Sequence, residues 1–235
     1  LRCDVLVKVK PSDKFPGVYF VELEGGQVRP ATVNLAPGVK VYGENLIVVG
    51  GVEYRVWDPF RSKLAASILK GLESLPIKPG LKVLYLGVAS GTTASHVSDI
   101  VGPEGFVYGV EFAPRVMREF ISRVCEHRSN VAPILADARM PALYSALVQE
   151  VDVIYQDVAQ PDQGKILVDN ARMFLARGGW TMLAVKARSV NVAKEPSEVY
   201  RREVATLREG GLRIEQVIHL EPYDVDHAMI IARYE

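Results

Sequence analysis

Apolar residues recur along this chain in two different rhythms, and the change between them falls near residue 56. Before it, short β-type runs (Val18 to Leu23, Gln27 to Leu35, Leu46 to Val49 and Val52 to Trp57) are punctuated by Gly25-Gly26, Pro37-Gly38 and Gly50-Gly51. Such runs between turn residues predict a small antiparallel-rich domain over residues 1–56. After it, a helix is expected from Ser62 through KLAASILKGLESL. Apolar strands at 83–86, 106–111, 131–135, 151–157, 179–186, 212–219 and 227–233 then alternate with helices that start near Thr92, Pro114, Pro141, Gln163 and Ser197. Each crossover is long enough for a right-handed βαβ unit until the last. Strands six and seven are joined only by Leu220 to Asp226, so they must pair antiparallel. Residues 57–235 therefore read as an α/β domain, a Rossmann-like seven-stranded sheet whose last strand is antiparallel. No internal repeat or low-complexity tract interrupts the pattern.

Chemistry enters where the first of these strands stops. The run Val83 to Leu86 ends abruptly in Gly87-Val88-Ala89-Ser90-Gly91-Thr92-Thr93, a helical segment follows, and the next strand finishes on Glu111. Strand, glycine turn, helix, strand and acid is the layout of a nucleotide-type site in an open α/β sheet. Glycine lets backbone approach a ligand closely, and an acid about 20 residues on can accept from both ribose hydroxyls. A dinucleotide fingerprint would need glycine where Ala89 and Thr92 stand, and a P-loop would need a glycine at Thr92 with a lysine after it. Both phosphate readings weaken. S-adenosylmethionine (AdoMet) carries no phosphate and asks only for a close turn, hydroxyls and a ribose acid. An ordinary strand-to-helix turn with no ligand is the plain alternative.

Composition narrows the field. Of 235 residues, 49% are hydrophobic, ample for a core, and no run is long enough to span a membrane. The start, LRCDVLVKVK, lacks the apolar stretch of a signal peptide, so a cytoplasmic location is expected. Cys3 and Cys125 lie far apart and suggest a reducing compartment. The histidines, His96, His127 and His219 among them, form no metal-ligand pattern with the cysteines, and those three read as surface or packing residues. Lys plus Arg and Asp plus Glu number 28 each, so nothing pulls the whole chain toward nucleic acid. The first 58 residues are balanced as well, with seven basic residues (Arg2, Lys8, Lys10, Lys14, Arg29, Lys40, Arg55) against seven acids. Docking and simple packing onto the larger domain are both open to that part. Either the substrate is not nucleic acid, or other molecules hold it.

Ligand chemistry in such a sheet gathers at the carboxyl ends of the strands. Those ends carry Glu111, Asp137, Asp157 and Lys186. Asp137 in LADAR suits either an adenine amino group or a helix cap. Asp157 follows the apolar VDVIYQ, and Lys186 ends WTMLAVK, an unusual place for a long cation. Neighbouring strands would let these two form an ion pair, catalytic or purely structural.

Six segments together resemble one family. WDPFRSKLAA (57–66), YLGVASGTTASHVSDIVGPEGFVYGVEF (85–112), ILADARMP (134–141), YQDVAQPDQ (155–163), AVKARS (184–189) and PYDVDHAM (222–229) resemble fibrillarin in its archaeal form. That family is the RNA ribose 2′-O-methyltransferase of box C/D guide ribonucleoproteins, on a class I methyltransferase fold. The eukaryotic members' Gly/Arg-rich extension is missing here. The resemblance implies a catalytic set of Lys63, Asp157, Lys186 and His227. Lys186 would be the base or hydroxyl orienter, its pKa lowered by burial and by Lys63. Asp157 would fix Lys186, and Lys63 and His227 would hold the target ribose and phosphate. It implies AdoMet held by Gly87, Ala89, Gly91, Thr92, Thr93, Glu111, Phe112, Asp137, Ala138, Asp157 and Gln160, with no metal. It also implies a resolution of the charge puzzle: guide RNA selects a nucleotide of rRNA or tRNA by pairing, a Nop-family scaffold protein holds the enzyme, and a kink-turn-binding ribosomal-type protein anchors the RNA. Arg61, Arg188, Lys194, Arg201 and Arg202 could steer substrate or simply solvate a surface. A small-molecule or protein methyltransferase, and a non-catalytic assembly protein on the same fold, are the competing classes. Activity without guide RNA would mark the first, and loss of lysine or cofactor positions the second.

Overall fold

The computed structural model describes residues 8–23, 25–190 and 195–235; Arg2, Cys3 and Lys194 lie outside them. The N-terminal part folds as five antiparallel strands: β1 (Lys8–Pro11), β2 (Tyr19–Glu22), β3 (Val28–Val33), β4 (Leu46–Val49) and β5 (Val52–Val56). Their order in the sheet is β1-β2-β3-β5-β4. Val49 pairs with Val52, so Gly50-Gly51 is a two-residue hairpin loop. Both glycines have positive φ (59° and 80°), which the favoured primed turns require and side chains resist. β1 has no counterpart among the sequence-predicted strands: its four residues alternate Lys with apolar and end on Pro11, too little pattern to stand out.

The second sheet contains β6 (Lys82–Leu86), β7 (Phe106–Glu111), β8 (Val131–Leu135), β9 (Val151–Gln156), β10 (Leu175–Lys186), β11 (Leu212–His219) and β12 (His227–Tyr234), in the order β11-β12-β10-β9-β6-β7-β8. Strands β6 to β10 run parallel, and β12 slots antiparallel between β10 and β11. The helices are α1 (Lys63–Leu69), α2 (Thr92–Val101), α3 (Pro114–Arg123), α4 (Gln163–Phe174), α5 (Ala187–Val190) and α6 (Pro196–Glu209). Three of the expected elements differ in extent, and α5 has no counterpart among the expected helices. The first helix stops at Leu69 instead of running on through Leu75, because Gly71 turns the chain at φ 94°. The helix expected at Pro141 is only a 3-10 turn, Pro141–Tyr144. β10 begins at Leu175, directly after α4, with a register break between Leu175 and Trp180 where Gly178-Gly179 sit.

Alternation along the strands divides the core into two apolar layers. Met182, Ala184, Met229 and Ile231 face α1 and α2, with Trp57, Leu64, Ile68, Val97 and Phe120; Leu183, Val185, Ala228 and Ile230 face α4 and α6, with Leu167, Phe174, Val199 and Leu207. Phe15, Val18 and Val41 from the N-terminal part join the first layer, so packing of that part onto the larger one is direct. A buried polar knot reinforces the junction. Arg55, wholly buried, pairs with Glu44 at 2.6 Å and with Asp99 of α2 at 2.7 Å, and Arg128 also pairs with Asp99. His96 packs flat on Trp57 at 4.5 Å, with Thr32 and Tyr42 each 2.8 Å from its ring nitrogens. Burial, with Arg55 and Arg128 nearby, pushes His96 well below its usual pKa, so it is a neutral packing residue.

Candidate active site

Two sets of side chains meet at the carboxyl rim of the seven-stranded sheet. The first forms a cleft of about 310 Å³. β6 delivers Gly87 there at φ 81°, where an added Cβ would stand 2.5 Å from the carbonyl oxygen of Asp157, so the ends of β6 and β9 can close on each other only over a glycine. Ala89 is held at φ 49°, an uncommon conformation for a residue with a side chain. Its N–H donates to Glu111 Oε2 at 3.2 Å, and the N–H of Ala113 donates to Oε1 at 3.0 Å. Glu111, only 8% exposed, is thus fixed by its own backbone neighbours with lone pairs left over for a ligand. Asp137 is tied to Arg139 at 2.6 Å, and that bond holds its carboxyl below the usual aspartate range.

The cleft is lined by eight of the eleven residues expected to hold the cofactor: Gly87, Ala89, Glu111, Phe112, Asp137, Ala138, Asp157 and Gln160. Gly91, Thr92 and Thr93 are not among its lining residues. Gly91 precedes α2 at φ 94°, and a Cβ on it would meet Val124 at 2.5 Å and Phe120 at 2.8 Å. Thr93 donates its hydroxyl to Ser62 Oγ at 2.8 Å, and Ser62 in turn caps the first turn of α1. The threonine therefore steadies the residue before Lys63. Val110, Ala136, Val158, Ala159 and Ile166 complete the walls. Four of these flank recognised positions and carry no polar signature, and Ile166 arrives from α4, so only the folded chain reveals them. The lining carries three carboxylates and no lysine or arginine. Asp137 is paired with Arg139 and Asp157 with Lys63, while Glu111 forms no ion pair among the described residues; with no cation in the lining to hold a pyrophosphate, the residues fit a cationic nucleoside free of phosphate such as AdoMet.

The second set lies beside the first. Lys63 opens α1, Asp157 follows β9, Lys186 ends β10 and His227 begins β12 directly opposite Lys186 in the antiparallel register. By strand alternation Lys186 and His227 share the face that packs on α1. The expected Asp157–Lys186 ion pair does not form. Asp157 pairs with Lys63 at 2.9 Å, and Lys186 forms no ion pair with a carboxylate among the described residues. The reason is register. β9 last pairs with β10 at Gln156↔Leu183, after which the Asp157 N–H bonds to Leu86 O of β6, away from β10. Lys186 runs on past that point, so the two side chains are staggered. Lys186 is also exposed, contrary to the burial expected of it.

Lys63 is a committed cation. Burial works against its charge, but Asp157, with Asp224 at 3.8 Å, outweighs it and holds the pKa above the ordinary lysine value. A cation in the first turn of a helix opposes the helix dipole, and Asp157 offsets that too. Asp224, absent from the residues singled out in the sequence, links the group. It lies 3.8 Å from Lys63 and 2.8 Å from His227 Nδ1. Burial raises its pKa, yet the His227 bond and the charges of His227, Lys63 and Lys186 bring it below the usual value. The only sequence signal for Asp224 is an acid three residues before a histidine in a short connection. His227 Nδ1 is also 2.7 Å from the carbonyl oxygen of Val225. Two acceptors at Nδ1 place the proton there and leave Nε2 for a ligand. Of the basic residues considered for steering substrate, Arg61 donates to Tyr42 O at 3.0 Å and Arg188 to Asp226 at 2.9 Å, so both serve internal contacts. Among the described residues no cluster of His, Cys, Asp and Glu could hold a metal.

The order of the sheet, the strand inserted antiparallel next to its edge and the acid ending the second strand define a class I methyltransferase fold. The match is far closer than fold alone: the family model for fibrillarin matches residues 9–235, and the chain belongs to the fibrillarin family. A fibrillarin-like rRNA/tRNA 2′-O-methyltransferase from Aeropyrum pernix is 58% identical over 227 residues, 97% of each chain. The crystal structure of Aeropyrum pernix fibrillarin in complex with natively bound S-adenosyl-L-methionine matches with a TM-score of 0.91 at 58% identity, over 96% of this chain and 98% of that one. A fibrillarin/Nop5p complex contains a chain with a TM-score of 0.81 at 40% identity, over 95% of this chain and 100% of that one.

Proposed function

We propose that this chain transfers the methyl group of AdoMet to ribose 2′-hydroxyls of rRNA and tRNA, as the catalytic subunit of a box C/D guide ribonucleoprotein. The observation that carries the reading is the juxtaposition on one sheet rim of an acid-lined, phosphate-averse cleft with Lys63, Lys186 and His227. Bound in the cleft, AdoMet supplies an electrophilic methyl on a sulfonium. Glu111 accepts from the ribose hydroxyls, Asp137 from the adenine amino group, and Val110, Ala138 and Ile166 offer apolar walls to the ring. Asp157 stands between the two sets, lining the cleft while it anchors Lys63. Lys63, held cationic, and His227, through Nε2, position the target phosphate and ribose. Lys186 orients the 2′-hydroxyl, whose proton passes to solvent as its oxygen takes the methyl and the sulfonium leaves as a neutral thioether. Alignment of this kind supplies roughly 7–11 kcal/mol of the barrier.

A neutral subunit needs affinity from elsewhere, so guide and target RNA, a Nop-family scaffold and a kink-turn-binding ribosomal-type protein complete the particle. In this reading residues 57–235 do the chemistry, residues 1–56 form a supporting domain, and the particle works in the cytoplasm; no helix among the described residues is long and apolar enough to cross a membrane. The test is methyl transfer to a target RNA with and without the matching guide RNA and scaffold proteins. Turnover only in the assembled particle is expected. Equal turnover by the lone chain, or none in either, overturns the proposal.

A further inference from the structure

Two buried glutamines lie behind the rim. Gln156 ends β9 and Gln163 opens α4, and both are fully buried. Their side-chain orientations follow from backbone partners. The Gln156 Nε2 faces the carbonyl oxygen of Gln163 at 2.7 Å, so that atom must be the donor. The Lys186 N–H donates to Gln163 Oε1 at 3.2 Å, so that atom must be the acceptor. The arrangement leaves Gln156 Oε1 and Gln163 Nε2 buried with no hydrogen-bond partner. An orphaned buried polar group is costly, and a fold retains such a cost where the bonds that force it matter.

What those bonds hold is the end of β10. β9 stops pairing with β10 at Gln156↔Leu183, so past that point no strand supplies acceptors on that edge. Gln163 stands in for the missing strand at Lys186. One residue further, the Ala187 N–H donates to Asp226 O at 3.1 Å on the β12 side. Lys186 is therefore fixed at its backbone from both edges, although its side chain is exposed and unpaired with any carboxylate among the described residues. The bond from Gln156 to the Gln163 carbonyl closes the loop 157–162, whose residues Asp157, Val158, Ala159 and Gln160 line the cleft.

We propose that Gln163, braced by Gln156, is a positioning residue for methyl transfer: it sets the backbone of Lys186 while Gln156 sets the cofactor loop. The inference rests on the reading of Lys186 given above. The two glutamines divide the work, which gives a split that mere structural support would not. Gln163→Met removes the acceptor for Lys186 but keeps the carbonyl that Gln156 uses. Single-turnover methylation in assembled particles should fall on the order of 10- to 100-fold, as expected for a small misplacement of a reacting group, while AdoMet affinity stays within about threefold. Gln163→Glu keeps an acceptor oxygen and should recover most of the rate. Gln156→Met frees the loop and should weaken AdoMet binding as well. In the Lys186→Ala background, Gln163→Met should add almost nothing, because its effect passes through Lys186. A wild-type rate in Gln163→Met, or independent multiplication of the two effects, overturns the inference. Failure of Gln163→Met to fold is read through Gln163→Glu: if that variant folds normally and is as slow as a Lys186→Ala particle, the acceptor is not what matters and the inference falls. A wild-type rate in Lys186→Ala alone sinks the functional reading instead, so the two failures are distinguishable.

Discussion

Glu111 offers the sharpest test of the cleft. Its carboxylate accepts from Ala89 and Ala113 at 3.2 and 3.0 Å, is 8% exposed, and has free lone pairs facing the cavity. Glu111→Ala removes a charged acceptor for two ribose hydroxyls. Charge-assisted hydrogen bonds contribute about 1.5–3 kcal/mol, which corresponds to a loss of roughly 10- to 150-fold in AdoMet affinity at 1.4 kcal/mol per decade. The same change leaves two backbone N–H groups without an acceptor, so the unliganded protein should lose stability by about 1–2 kcal/mol, given that solvent reaches the rim. Calorimetric titration of AdoMet into the isolated chain reads the first effect, and a thermal melt without ligand reads the second. Because one of three lining carboxylates is removed, the salt dependence of binding should also become shallower. Unchanged affinity in a folded Glu111→Ala protein would refute the assignment of the cleft, whatever the melting temperature does.

The other outcomes follow from the second set of residues. Lys186→Ala should cut single-turnover methylation severely in assembled particles while AdoMet binding stays near normal, since its contribution lies in the transition state; near-normal turnover would make it structural. Asp157→Ala should damage both rate and cofactor binding, because it lines the cleft and anchors Lys63; an effect on only one of them would sink the shared role. For Asp224 the sign is that of a depressed carboxyl: its stabilising effect is present above the ordinary aspartate value of 3.8 and is lost as pH falls through the lower folded value. Asp224→Asn should thus be less stable than wild type at neutral pH, the gap closing in strong acid; a gap independent of pH in urea melts would contradict the linkage.

What the sequence reveals, and what it hides, has a physical pattern. The strands at 83–86 and 106–111 announce themselves because they are buried on both faces and end in distinctive residues, the first in Gly87 at positive φ and the second in the acid Glu111. The seven strands and the antiparallel last one are legible from that apolar pattern and the short final connection, whereas the set Lys63, Asp157, Lys186 and His227 comes only from the family resemblance. Pairing partners are not. Which lysine meets Asp157 depends on how far β10 overruns β9, an offset fixed by tertiary register. Thr93 reads as a ligand residue because hydroxyls after a glycine turn often are; that its hydroxyl also donates to Ser62, 31 residues away in the chain, is a tertiary contact no local pattern announces. The first helix reads too long because LESL continues the apolar period past Gly71, where positive φ overrides it. Asp224 does not stand out because a lone acid in a short loop resembles turn chemistry.

The place of β12 has a consequence for how the molecule comes into being. This strand follows every other element in chain order, yet it lies between β10 and β11, with Ala228 to Ala232 almost wholly excluded from solvent. Every residue lining the cleft lies between Gly87 and Ile166, whereas His227 sits at the start of β12. A growing chain could therefore shape its cofactor cleft well before it owned a complete reacting rim. The cleft lining and the residue opposite Lys186 are separated in synthesis by about sixty residues, so insertion of β12 into the gap beside Lys186 can come only after the whole lining of the cleft has been made.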